Sequence, residues 1–141
     1  MKKESRNYRM YLEDMNLAMG RISEYINGLT FEQFILDYKT ADAVIRNFEI
    51  IGEASRKIPE TLKNQYPSVP WDEMYLLRNK VSHEYFGIDF QIIWDVAKNH
   101  LPENKKQMVD NEQLKQISRD AILSQQAAIE ARKAIVARFH T

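Results

Sequence analysis

The 141 residues contain no cysteine, only four glycines and only four prolines. Without cysteine no disulfide framework can form, which fits a reducing compartment. There is no Gly-rich loop to cradle a phosphate and no zinc motif. No apolar run reaches the roughly 18 residues that a membrane-spanning helix needs. The stretch Met1-Lys2-Lys3-Glu4-Ser5-Arg6 leads into a charged amphipathic segment rather than an apolar signal core, so a cytoplasmic protein without membrane contact is expected. Net charge is missing as well, because 20 Lys and Arg balance 20 Asp and Glu. Bulk charge therefore cannot hold this chain on nucleic acid, and any polyanion site must be a local arrangement. The length suits one domain with a proper core.

Strand-like alternation is nearly absent too, and what remains is helical. Tyr8, Tyr11, Leu12, Met15, Met19, Ile22, Tyr25 and Ile26 recur every three or four residues, predicting an amphipathic helix over 6–27 that ends near Gly28. The three tyrosines read as core, with a stacking platform as the alternative. Thr30 followed by Gln33 has the form of a capping box and opens a short helix to about Leu36. Thr40 is placed to cap the next helix, whose buried face is Val44, Phe48, Ile51, Ser55 and Ile58 and which Pro59 ends. A short turn over 60–65 leads into the rigid connector Tyr66-Pro67-Ser68-Val69-Pro70. Pro70 suits the first turn of a further helix, with Asp72 and Glu73 near its positive end and Trp71, Met74, Leu77 and Val81 along its buried stripe. Asp89 caps another helix carrying Ile92, Ile93, Val96, Ala97 and Leu101, which Pro102 should kink or break.

Four substantial helices with short links predict an all-α antiparallel four-helix bundle over 1–110, with short extra helices. Residues 111–141 read as a C-terminal helical extension. Its stripe of Leu114, Ile117, Ala121, Ala128, Ala131 and Ile135 is thin and alanine-rich, as expected of a weakly packed terminal helix or of a partner-binding arm.

Chemistry concentrates in Arg78-Asn79-Lys80-Val81-Ser82-His83-Glu84-Tyr85. The guanidinium of Arg78 is a permanent cation whose planar donors fit phosphate oxygens, and His83 exchanges protons near neutrality. At about 100° per residue, Arg78 and Tyr85 lie within about 20° of each other, whereas His83 is about 140° from Arg78. A straight helix cannot aim Arg78 and His83 at one small target. Either the helix distorts before Gly87, or two copies of the chain complete one site across a twofold axis. In the second case paired Arg78 and Lys80 side chains would make a local positive strip.

An Arg and a His converging on a phosphate suit RNA cleavage without a metal. The imidazole would move the ribose 2′-OH or leaving-group proton, while the guanidinium would neutralise charge on the phosphoryl oxygens. Asn79 could orient a phosphate or the histidine ring, and Tyr85 could position substrate by hydrogen bonding or by stacking on a base. The bland alternative is a surface ion pair and a satisfied histidine. His83, His100 and His140 lack metal-ligand spacing. Glu49 and Glu53, one turn apart, read as a solvated carboxylate pair, while Arg46, Asn47 and Glu49 could support the site from a neighbouring helix.

Longer blocks carry a resemblance. Arg9-Met10-Tyr11-Leu12-Glu13-Asp14, the run from Thr40 through Ala54, Val69-Pro70-Trp71, and Leu77 through Gly87 with its intact R-x4-H-x-Y pattern resemble HEPN-domain proteins of the HepT type. These are the toxin half of HepT/MntA toxin–antitoxin pairs, and the resemblance covers about residues 8–110. It implies an all-α bundle that forms a homodimer with both motifs facing one cleft. It implies a metal-independent endoribonuclease of a type VII-like system, without a cofactor, in which Arg78 and His83 are catalytic and Asn79 assists. It also implies a cognate minimal nucleotidyltransferase antitoxin that transfers AMP to Tyr85. The stretch 111–141 is a departure that this pattern does not require. A non-catalytic nucleotide- or substrate-binding subunit of the transferase, and a plain dimerisation domain, are the alternatives.

Overall fold

The computed structural model describes residues 8–83, 87–109 and 112–138, and among these there are helices and no strand. Helix α1 (Tyr8–Ile26) buries Leu12, Met15, Met19, Ile22 and Ile26, the face its periodicity predicts. It stops where Gly28 takes φ +80°, a left-handed conformation that an L side chain rarely adopts. Helix α2 (Phe31–Leu36) opens with the expected box: the Gln33 amide donates to Thr30 Oγ1 at 3.1 Å, and the Thr30 amide donates to Gln33 Oε1 at 2.9 Å.

Helix α3 (Tyr38–Arg56) begins earlier than expected. Its cap is Asp37 rather than Thr40, because the Thr40 amide and hydroxyl both donate to the Asp37 carboxylate, at 3.1 and 2.7 Å. A carboxylate three residues upstream offers two acceptors at the positive helix end, where a hydroxyl offers less. Helix α4 (Glu60–Gln65) follows Pro59, and the connector delivers the chain to α5 (Trp71–His83). Two bonds fix that delivery: Ser55 Oγ donates to the buried Trp71 carbonyl at 2.7 Å, and Trp71 Nε1 donates to the Tyr66 carbonyl at 3.0 Å.

Pro102 does not break the chain's next helical run. Helix α6 (Phe90–Asp95), a π turn over Val96–His100 and α7 (Leu101–Val109) follow one another directly. The Leu101 amide reaches back five residues to the Val96 carbonyl, so the ladder shifts just before the proline. Pro102 then occupies the first turn of α7, where a missing N–H costs little.

The bundle is α1 against α3 and α3 against α5, with α7 and the π turn closing on α1. Phe34, Met15, Met19, Ile22, Ile51 and Leu101 are wholly buried, and each large apolar side chain so buried contributes about 1.5–3 kcal/mol. Helix α2 is anchored to α6 by Phe34, whose ring lies 5.2 Å from that of Trp94 and 6.5 Å from that of Phe90. Helix α8 (Glu112–Arg138) lies against α1 and α7, yet its residues 126–138 are exposed throughout, including Ala128, Ala131 and Ile135 of the predicted stripe. No helix among the described residues is long and apolar enough to cross a membrane.

Candidate functional site

The site begins with a glycine in the middle of α3. A Cβ at Gly52 would overlap Arg78 Cβ and come within 2.8 Å of Arg78 Cγ and of the Met74 carbonyl oxygen. The absence of a side chain there lets the α3 and α5 backbones approach closely and brings the stem of Arg78 onto α3. Its neighbour Glu53 then meets the guanidinium: Arg78 Nη2 lies 3.2 Å from Glu53 Oε2. On the other side Arg78 Nη1 donates to Asn79 Oδ1 at 3.0 Å. The Arg78 side chain is 29% exposed, so it is anchored at its edges and still open to a ligand.

Arg78 forms one wall of a groove of about 280 Å³ between α1, α3 and α5. Tyr11 and Asp14 enter it from α1, and Arg46, Glu49 and Glu53 from α3. Three carboxylates against two guanidiniums leave the groove with a formal net charge of −1. One copy alone therefore does not present a positive surface to a polyanion. Tyr11, read as core, is half-buried and lines this groove, and Tyr25 is exposed.

Arg46 and Glu49 stand in the groove as candidate supports, but Asn47 does not. It is buried, and its Nδ2 donates to the Ala43 carbonyl of its own helix at 2.8 Å. Glu49 and Glu53 are not a solvated pair, since Glu53 is an interhelical partner of Arg78 and its Oε2 is shielded from solvent. Within one copy Lys80 does not share the groove with Arg78. Two residues turn the helix by about 200°, and Lys80 instead lines an apolar cavity of about 680 Å³ between α3, α5, the π turn and α7. His100 lines that same cavity and lies 3.3 Å from Asp95.

His83 is the last residue of α5, and α5 is α-helical from Arg78 to that point. No distortion before His83 brings the two onto one face. The side chain of His83, all of Tyr85, and His140 lie outside the described residues. Sequence reasoning missed Gly52 and the Glu53 partnership. The available signal was a glycine within a long helical pattern, which costs about 1 kcal/mol against alanine and so asks for a packing reason.

The matches to known proteins fall on this framework. Residues 15–111 match the family described as ribonuclease HepT-like. A Thermococcus cleftensis protein named "Probable ribonuclease HepT" is 44% identical over 100 residues, 71% of this chain and 91% of its own length. A Methanocaldococcus jannaschii protein, named as a candidate RNase, is 44% identical over 103 residues, 73% of this chain and 85% of its own. A similarly named protein of Caldanaerobacter subterraneus is 37% identical over 100 residues, 71% of this chain and 89% of its own. No solved structure matches the chain. The matched span contains the α3–α5 junction with Gly52, Glu53, Arg78, Asn79 and His83, and this chain belongs to the ribonuclease HepT-like family.

Proposed function

We propose that this chain is a metal-independent endoribonuclease and the toxin half of a HEPN/nucleotidyltransferase pair. The observation that carries the reading is the Arg78 guanidinium, fixed on both edges yet open at a groove, five residues before His83 in a regular helix. The family membership and the relatives' ribonuclease names support it. Arg78 and His83 are the catalytic residues, with Asn79 supporting the guanidinium.

The roughly 140° between Arg78 and His83 on α5 supports a homodimer in which each site takes its residues from both copies. In the reaction His83 of one copy takes the proton of a ribose 2′-OH. The 2′-oxygen then bonds to the adjacent phosphorus, and the P–O5′ bond breaks. The same imidazole, now protonated, gives that proton to the departing 5′-oxygen, leaving a 2′,3′-cyclic phosphate and a 5′-hydroxyl. Arg78 stabilises the phosphoryl oxygens as their charge rises. This route needs no Lewis acid.

The neutralising partner is a minimal nucleotidyltransferase that places AMP on Tyr85. Its negative phosphate and bulk would occupy the path of the RNA. Residues 1–110 form the ribonuclease bundle and 111–141 an accessory extension, a division supported by the end of the family match at residue 111 and the exposed distal half of α8.

The test is cleavage of single-stranded RNA in EDTA. The parent chain should cut, whereas Arg78→Ala and His83→Ala should each lose about 100-fold or more of the rate. Equal cleavage by His83→Ala would sink the reading. RNA binding without turnover would mark the chain as a non-catalytic subunit of the transferase. With partner and ATP, the intact mass should rise by AMP, and the adduct should vanish in Tyr85→Phe.

A further inference from the structure

Arg78 is one rung of a polar ladder that crosses between α3 and α5. On α5, Tyr75 and Arg78 are three residues apart, and on α3, Glu53 and Arg56 are likewise three apart, so each pair shares a helix face. The Arg56 guanidinium carbon sits 5.9 Å from the centre of the Tyr75 ring, and Arg56 Nη1 lies 3.6 Å from Glu53 Oε1. Glu53 Oε2 faces Arg78 Nη2 at 3.2 Å, and Arg78 Nη1 donates to Asn79. The order Tyr75–Arg56–Glu53–Arg78–Asn79 passes from α5 to α3 and back.

The two Glu53 oxygens have different surroundings. Arg56 is 56% exposed, so its pairing with Oε1 is screened by water and weak. Oε2 is shielded from solvent and, with no hydrogen-bond partner, faces Arg78 Nη2 as an ion pair at 3.2 Å. A carboxylate oxygen that water cannot reach needs a cation in a defined place, and it holds that cation in turn. Gly52, one residue earlier, brings the Arg78 stem in close enough for this to happen.

We infer that Glu53 is the positioning residue for Arg78, fixing the guanidinium so that its remaining N–H donors meet the phosphoryl oxygens without first having to order themselves. The inference rests on the reading of Arg78 as the phosphate-facing cation. Glu53 acts through Arg78. Preorganised charge at the reacting phosphate acts on the transition state more than on ground-state binding, so losing it lowers kcat and leaves KM nearly unchanged.

The experiment uses the full-length chain and a fluorogenic single-stranded oligoribonucleotide, with His83→Ala as the blank. Glu53→Gln keeps the shape and removes the charge. It should lower kcat by about 10- to 100-fold with KM within about twofold, while the melting temperature stays near that of the parent. Glu53→Asp, which restores the charge on a shorter stem, should recover part of the rate. Glu53→Gln cleaving at the parental kcat would overturn the inference.

A second readout does not depend on catalysis. The Arg78 Nε–H resonance, assigned by its loss in Arg78→Lys, should be sharp and restricted in the parent and averaged in Glu53→Gln. An unchanged resonance overturns the role of Glu53 even if no RNA is cut. A parent chain no more active than His83→Ala, with the resonance responding as expected, overturns the ribonuclease reading and leaves Glu53 as the residue that holds Arg78.

Discussion

Two glycines in the long helices are identical to any propensity scale, yet their surroundings assign them opposite roles. Gly20 in α1 has open space around it, since an added Cβ would meet only the end of the Lys105 side chain at 3.4 Å. Gly20→Ala is therefore expected to stabilise the protein by up to about 1 kcal/mol through helix propensity. Gly52→Ala places a methyl group against Arg78 and the Met74 carbonyl, and neither backbone can yield without parting α3 from α5. Overpacking there should cost about 1–3 kcal/mol. Urea unfolding of both variants checks the pair, and equal shifts of the same sign would contradict the close approach at Gly52. The same residue scale shows what the sequence could say of the site. Arg78, Asn79 and His83 stood out by type and spacing, whereas Glu53 is an ordinary surface glutamate until α5 is folded onto α3.

At the scale of elements, local chemistry sets the helix ends and is legible in advance. Asp89 accepts from the Gln91 amide at 2.9 Å, as its position before Ile92 and Ile93 implied. The start of α3 was less legible because Asp37 and Thr40 both have capping chemistry, and only the folded backbone shows which of them is the acceptor. That choice leaves a titration signature. The side-chain hydrogen bond from Thr40, then the Thr40 amide, holds the Asp37 carboxyl below its ordinary 3.8. Because the folded value is the lower one, the stabilisation is complete above the ordinary value and is lost as pH falls through the folded one. Asp37→Ala should therefore unfold at lower urea than the parent at pH 7, and the gap should close as the acid limit is approached. A gap of constant size down to that limit would mean that the carboxylate is not the cap. Pro102 teaches the converse: a strong local breaker was absorbed by a π turn because the surrounding helices keep Ala97 and Leu101 buried on the same side.

For the whole molecule, the regular course of α5 has a consequence for assembly. If each site draws Arg78 from one copy and His83 from the other, two inactive variants can complement each other. An Arg78→Ala chain pairs its intact His83 with the Arg78 of an His83→Ala chain, restoring one site of the two. After subunit exchange at equal concentrations, half the dimers are mixed, so about a quarter of the parental RNA cleavage should return. Either variant alone should stay inactive. A mixture as inactive as its components would place both residues of a site in one copy, and light scattering should meanwhile report twice the 16.7 kDa chain mass.

By itself the sequence determined the helical class, the faces of α1 and α3, and the position of the reactive cluster. Periodicity, caps and prolines act over a few residues and need no knowledge of what packs where. Only the tertiary structure decided that Arg78 is held by Glu53, that Lys80 faces a different cavity and that Gly52 sets the spacing between helices. Those facts join residues some 25 positions apart or separate neighbours by half a helical turn. The cluster around Arg78 thus owes its residues to the local chain and its geometry to the way α5 lies on α3.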